Sequence, residues 1–198
     1  MASPTEQPLD RGVLLDILSE FVAIERDGIR LYDHYLADAP SELRTTLADY
    51  RYEMDRHATL IGEAIGRLGG DASRLTPAAQ TAQQRTDLLL SLDADRPGSW
   101  LQRLETILVL ETKDAYVWDV LRLIVAESHD ADVVAALRPP TIDVGSQDGW
   151  DAPGSGHAER IEWARNAMRG LALEAIGVRR QGRWQHLRDA LPSLRGGG

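Results

Sequence analysis

The chain has 198 residues, 43% of them hydrophobic, with one phenylalanine and no cysteine. That is enough apolar material for a core, and it excludes disulfides, cysteine nucleophiles and iron–sulfur ligation together. A formal net charge of −9 repels nucleic acid, and no apolar run nears the roughly 20 residues that cross a bilayer.

Any metal must therefore be held by Glu, Asp and His. The opening MASPTEQPLDRG lacks a basic start followed by an apolar stretch, so the cytoplasm is the expected address. Abundant Ala, Leu, Arg and Glu favour helix over strand, and the expected fold class is all-α. Residues 1–10 read as a flexible N-terminus, 11–178 as one helical bundle, and 179–198 as a basic C-terminal helix with a glycine tail.

The first helix is expected from about Leu14 to Leu36. Its inward positions Leu14, Leu18, Phe21, Glu25, Gly28, Tyr32 and Tyr35 are spaced alternately four and three apart, the stripe of a bundle helix. Glu25 sits mid-stripe, where an ionised carboxylate must find a cation, a donor or a proton. A second helix, about Ser41 to Leu68, carries Leu47, Tyr50, Met54, His57, Ile61, Ala64 and Leu68 inward, with Glu53 flanking the stripe. The LGG at its end is a helix stop.

Between Asp71 and Ser99, TPAAQTAQQRTDLLLSL predicts a helical crossover, Thr76 capping and Pro77 in the first turn. Such a connection lets the next bundle helix run parallel to its predecessor. That third bundle helix, about Trp100 to Ala126, has two neighbouring inward stripes with Glu111 on one and Asp114 on the other, close enough to share a face. Arg138 to Gly156 reads as a long loop. The last helix is expected to be capped at Ser155, with a stripe of His157, Ile161, Ala164, Met168 and Leu171 and Arg160 one position off it.

Glu25 with Tyr32 seven residues on, His57 in HATLIGEAIGRLGG, Glu111 and Asp114 in LETKDAY, and ERIEWARNAM in the fourth helix together resemble the ferritin-like superfamily, the rubrerythrin-type bundles especially. The likeness runs from about Leu14 to Met168. It implies a four-helix bundle with a long helical crossover between helices 2 and 3, here with an extra C-terminal helix. Such bundles hold two iron or manganese ions with one Glu from each of two helices and a Glu-x-x-His from each of the others. Residue by residue, the resemblance makes Glu25, His57, Glu111 and His157 candidate metal ligands, with Asp114 nearby. It also puts Met54 and Arg160 where a glutamate and a histidine belong.

That departure changes the charge balance. A guanidinium cannot deprotonate in a protein, and one positive charge about 5 Å from an ion at an effective dielectric of about 20 costs on the order of several kcal/mol. Two readings stand on these residues. In one the protein is non-catalytic, Arg160 replacing the ions by pairing with Glu25 and Glu111 in a polar core that His57 and His157 complete. In the other, a single Fe or Mn ion on Glu25, His57, Glu111 and His157 serves an oxidase or peroxidase of rubrerythrin type. A helix start at Ser155 also sets His157 and Arg160 beside free amide groups, which suits an anion under the 138–156 loop.

Tyr32, Tyr35 and Tyr50 read as core aromatics with buried acceptors, and His34, His129 and His186 as surface residues. The broad apolar arc of the third helix leaves a homodimer open. The closing LPSLRGGG resembles the docking tails that load ferritin-like cargo into bacterial nanocompartments, with a frayed terminus as the simpler account.

Overall fold

The alternating apolar gaps become helices in the computed structural model, which describes residues 9–95, 99–145 and 156–175, and the side chains of 9–93, 99–138 and 158–173. They are α1 Arg11–Leu36, α2 Ser41–Arg67, α3 Pro77–Asp95, α4 Trp100–Glu127, α5 Ala131–Gly145 and α6 Gly156–Ala175. Among the described residues there is no strand, and no helix is long and apolar enough to cross a membrane.

Local chemistry sets the helix ends. Asp10 caps α1 by accepting from the amides of Gly12 at 2.9 Å and Val13 at 3.1 Å. Ser99 and Gln102 form a reciprocal capping box at the start of α4. As the sequence suggests, Thr76 accepts from the amide of Ala79 ahead of α3, with Pro77 first in the helix. α2 stops at Gly69, whose φ of 80° is the left-handed conformation open to glycine. The Gly70 amide then reaches the Ile65 carbonyl at 2.9 Å and the Gly69 amide reaches Gly66 at 3.0 Å, satisfying carbonyls at the helix end.

α1 and α2 form an antiparallel hairpin, and α4 packs on α6. Tyr32 meets Glu111 while Glu25 meets Trp118, so α4 runs antiparallel to α1 and parallel to α2. The crossover α3 permits this by lying along the other side of α1. For the same reason α1 buries more than its expected stripe: Val22, Ala23 and Ile24, spread round the rest of the helix, are buried too. Every expected inward residue of α1 and α2 is buried.

Met54, fully buried, lies over Gly28. A Cβ at residue 28 would sit 1.9 Å from Met54 Sδ, with Leu110 behind, so any side chain there would have to displace the buried Met54 thioether. Gly28→Ala is therefore expected to lower stability by about 1–3 kcal/mol despite its better helix propensity. Chemical denaturation that finds the variant as stable as wild type would refute this packing.

Two expectations need correction. The segment from Arg138 does not begin as a loop: α5 continues through Pro139 and Pro140 to Gly145. Proline lacks an amide donor and costs helix stability, but Val133, Ala136 and Leu137 are buried against the end of the bundle, and that anchorage carries the helix onward. In α6 the inward face is Arg160, Trp163, Ala164 and Ala167, one position from the expected stripe. Trp163 sets this register by standing edge-on to Tyr50 at 5.4 Å. The expected Ser155 cap and C-terminal helix lie outside the described residues.

Candidate metal centre

Four helices bring polar side chains to one level of the interior: Glu25 from α1, His57 from α2, Glu111 and Asp114 from α4, and Arg160 from α6. Glu25, Glu111 and Asp114 are each 0% exposed, Arg160 is 1% and His57 4%. Sequence periodicity foresees this depth for Glu25, His57 and Glu111. Asp114 follows from the wide buried arc of α4.

Arg160 is the hub of one half. Its Nε donates to Glu111 Oε2 at 2.5 Å and its Nη2 to Asp114 Oδ2 at 3.3 Å, while Nη1 binds Glu53 Oε2. Glu25 is not among its hydrogen-bonding partners, contrary to expectation; Asp114, one stripe over, takes that place. Glu53, one residue before Met54, reaches the hub from the half-exposed edge because its chain is long enough to bend inward. Burial works to lower the Arg160 pKa, but Glu111, Asp114 and Glu53 outweigh it and raise it. With three carboxylate partners the guanidinium is committed, so it does not offer the anion site considered above.

Glu111 is held on its other side by Tyr32, whose hydroxyl donates to Oε1 at 2.5 Å. Burial and the Glu111 charge push the Tyr32 phenol well above its ordinary range, which keeps it a proton donor. Tyr50 is likewise raised by burial, and its ring faces the Arg160 guanidinium at 5.6 Å.

The other half has a different character. Trp118 Nε1 donates to Glu25 Oε1 at 3.0 Å, while Glu25 Oε2 is buried and receives no hydrogen bond. His57 Nδ1 faces Glu25 Oε1 at 3.5 Å and Asp114 Oδ2 at 3.9 Å. One ligand atom each from Glu25, His57 and Asp114 lies within 4.8 Å of the others. Burial first, then the Asp114 charge, pushes the Glu25 carboxyl well above its ordinary value. Of the candidate ligands, Glu25 and His57 thus share a cluster with Asp114, while Glu111 is engaged by Arg160 and Tyr32. The His157 side chain lies outside the described residues.

A pH dependence follows for metal-free protein. Folded Glu25 holds a proton that the unfolded chain releases above about 4.5. Stability should therefore fall as pH rises from there through the raised folded value. Glu25→Gln should flatten that slope, as read by denaturant titration at several pH values; identical slopes would contradict the assignment.

A second charged cluster went unread in the sequence. Arg103, 5% exposed, joins Asp38 at 2.6 Å to Asp93 at 2.9 Å and lies over Tyr35 and Trp100. His34, expected to be a plain surface residue, is instead half-buried with Nε2 2.8 Å from Asp93. It ties the ends of α1 and α3 to the start of α4.

Comparison with family models, curated proteins and solved structures finds no match.

Proposed function

We propose that this chain is a ferritin-like bundle in which the Arg160 side chain takes the place of one metal ion, leaving a site for a single divalent ion on Glu25, His57 and Asp114. The observation that carries this is spacing. Ligands about 2.1 Å from a shared tetrahedral ion lie roughly 3.4 Å apart, and His57 Nδ1 stands 3.5 Å and 3.9 Å from the two carboxylates. Those separations are long for hydrogen bonds.

Charge supports the same conclusion. Glu53 reaches Arg160 from the half-exposed edge and is screened by water. Setting it aside, the three fully buried carboxylates and one guanidinium sum to two negative charges when all are ionised, which one divalent cation would neutralise. Glu25 Oε2 accepts no hydrogen bond from another side chain, and a cation would replace the proton that Glu25 can share with Asp114. One imidazole and two carboxylates suit iron, manganese or zinc, and such an ion supplies Lewis acidity and, for iron or manganese, one-electron chemistry. In this arrangement Trp118 orients Glu25, Arg160 orients Asp114, and Tyr32 holds Glu111 out of the ligand set.

The raised Glu25 carboxyl favours a second reading, in which protons take the cation's role and the cluster is a non-catalytic polar core. Elemental analysis of protein purified without chelator separates the two. About one ion per chain, lost in His57→Ala, supports the metal site; a folded, metal-free preparation that takes up none supports the polar core.

A further inference from the structure

α3 and α4 both rest on α1 but diverge above it, leaving a groove of about 440 Å³, within the range of small-molecule sites. Ile24, Asp27 and Leu31 form its floor, and Leu89 and Val109 line its walls. The walls keep much apolar surface in water: Leu89 is 39% and Val109 65% exposed. The groove is separate from the candidate metal centre, because residues two apart on a helix do not share a face. Glu25 turns toward α2 and α4, and Asp27 toward α3.

Asp27 is the unusual part of the floor. It is 4% exposed, and its Oδ1 accepts one N–H from Arg30 at 3.2 Å. Arg30 meanwhile reaches outward to Asp87 at 2.5 Å. Asp27 Oδ2 is buried and receives no hydrogen bond of ordinary geometry; the Thr86 hydroxyl of α3 lies close enough to favour the carboxylate only in part, and a buried charged acceptor so weakly met costs free energy. A donor arriving along the groove would satisfy it. The rim carries two bases, Arg85 and Lys113, the latter leaning toward Glu20 at 3.8 Å, while Glu105 adds a second acid to Asp27.

We propose that this groove binds an aliphatic molecule ending in a primary amine, its chain along Ile24, Leu31, Leu89 and Val109 and its ammonium donating to Asp27 Oδ2. A carboxylate head on the same chain would set an anion against Asp27 and is rejected.

Calorimetric titration of the full chain with n-octylamine and with octanoate tests this. Octylamine should bind at least about tenfold more tightly, the worth of one charge-assisted hydrogen bond. Asp27→Asn should remove that preference. Val109→Trp, at an exposed position where folding is not at stake, should fill the groove and abolish binding. Equal affinity for the two ligands, octylamine binding unchanged in either variant, or no heat with octylamine would each overturn the proposal. The last is the result expected if residues 176–198 or a second copy of the chain occupy the groove.

Discussion

Arg160→Leu is expected to lower stability at neutral pH by about 3–5 kcal/mol, the usual cost of removing one partner from a buried ion pair. For a domain of this size that corresponds to a melting temperature lower by about 6–20 °C. The reason is local and severe. Glu111 and Asp114 are 0% exposed, and in the variant neither keeps its guanidinium while Glu25 adds a third carboxyl nearby. Leucine restores the volume of the stem but none of the charge, so a cavity does not account for the loss. Arg160→Lys should recover only part of it, because an ammonium cannot span Glu53, Glu111 and Asp114 as the planar fork does. A thermal melt of Arg160→Leu that coincides with wild type would show that the guanidinium neutralises nothing.

Wild-type protein stripped of metal should gain about 2.7 kcal/mol of stability when a fitting divalent ion is present at 100 times its dissociation constant. Ferrous iron, manganese and zinc are the ions to try. Removing a ligand should weaken binding by more than the 10- to 100-fold that outer hydrogen-bond partners typically contribute. His57→Ala and Glu25→Gln should therefore show no ion-dependent shift in a thermal melt, while Tyr32→Phe, which removes only the hydroxyl held by Glu111, should keep one. Wild-type protein that none of the three ions stabilises would remove the metal site and leave the proton-neutralised core.

Much of this architecture was legible in the residue order because burial imposes a period. The α1 and α2 stripes, including Glu25 and His57, followed from alternating three- and four-residue gaps, and the crossover followed from Thr76–Pro77 and the glycine stop before it. What escaped were features that depend on contacts between distant segments. The pairing of Arg160 with Glu111 was legible, but its place on the inward face of α6 itself was not, because Trp163 against Tyr50 sets the rotation of that helix. Glu53 looked like a flank because periodicity describes where a helix position faces and not how far a flexible side chain reaches. α5 was hidden by Pro139 and Pro140, whose local preference the buried residues just before them override. The Arg103 cluster on α4 joins His34 of α1 and Asp38 in the turn after it to Asp93 of α3, and no local pattern announces such a meeting.

The absent side chain at Gly28 has a consequence for how this interior can change. Methionine and glutamate are both unbranched and similar in reach, so the niche that admits Met54 would admit an acid with little rearrangement, whereas any bulk at position 28 would close it. The chain thus preserves a berth for one more ligand beside His57. On the proposed ferritin-like reading, Met54→Glu together with Arg160→His should let a second ion enter next to the first.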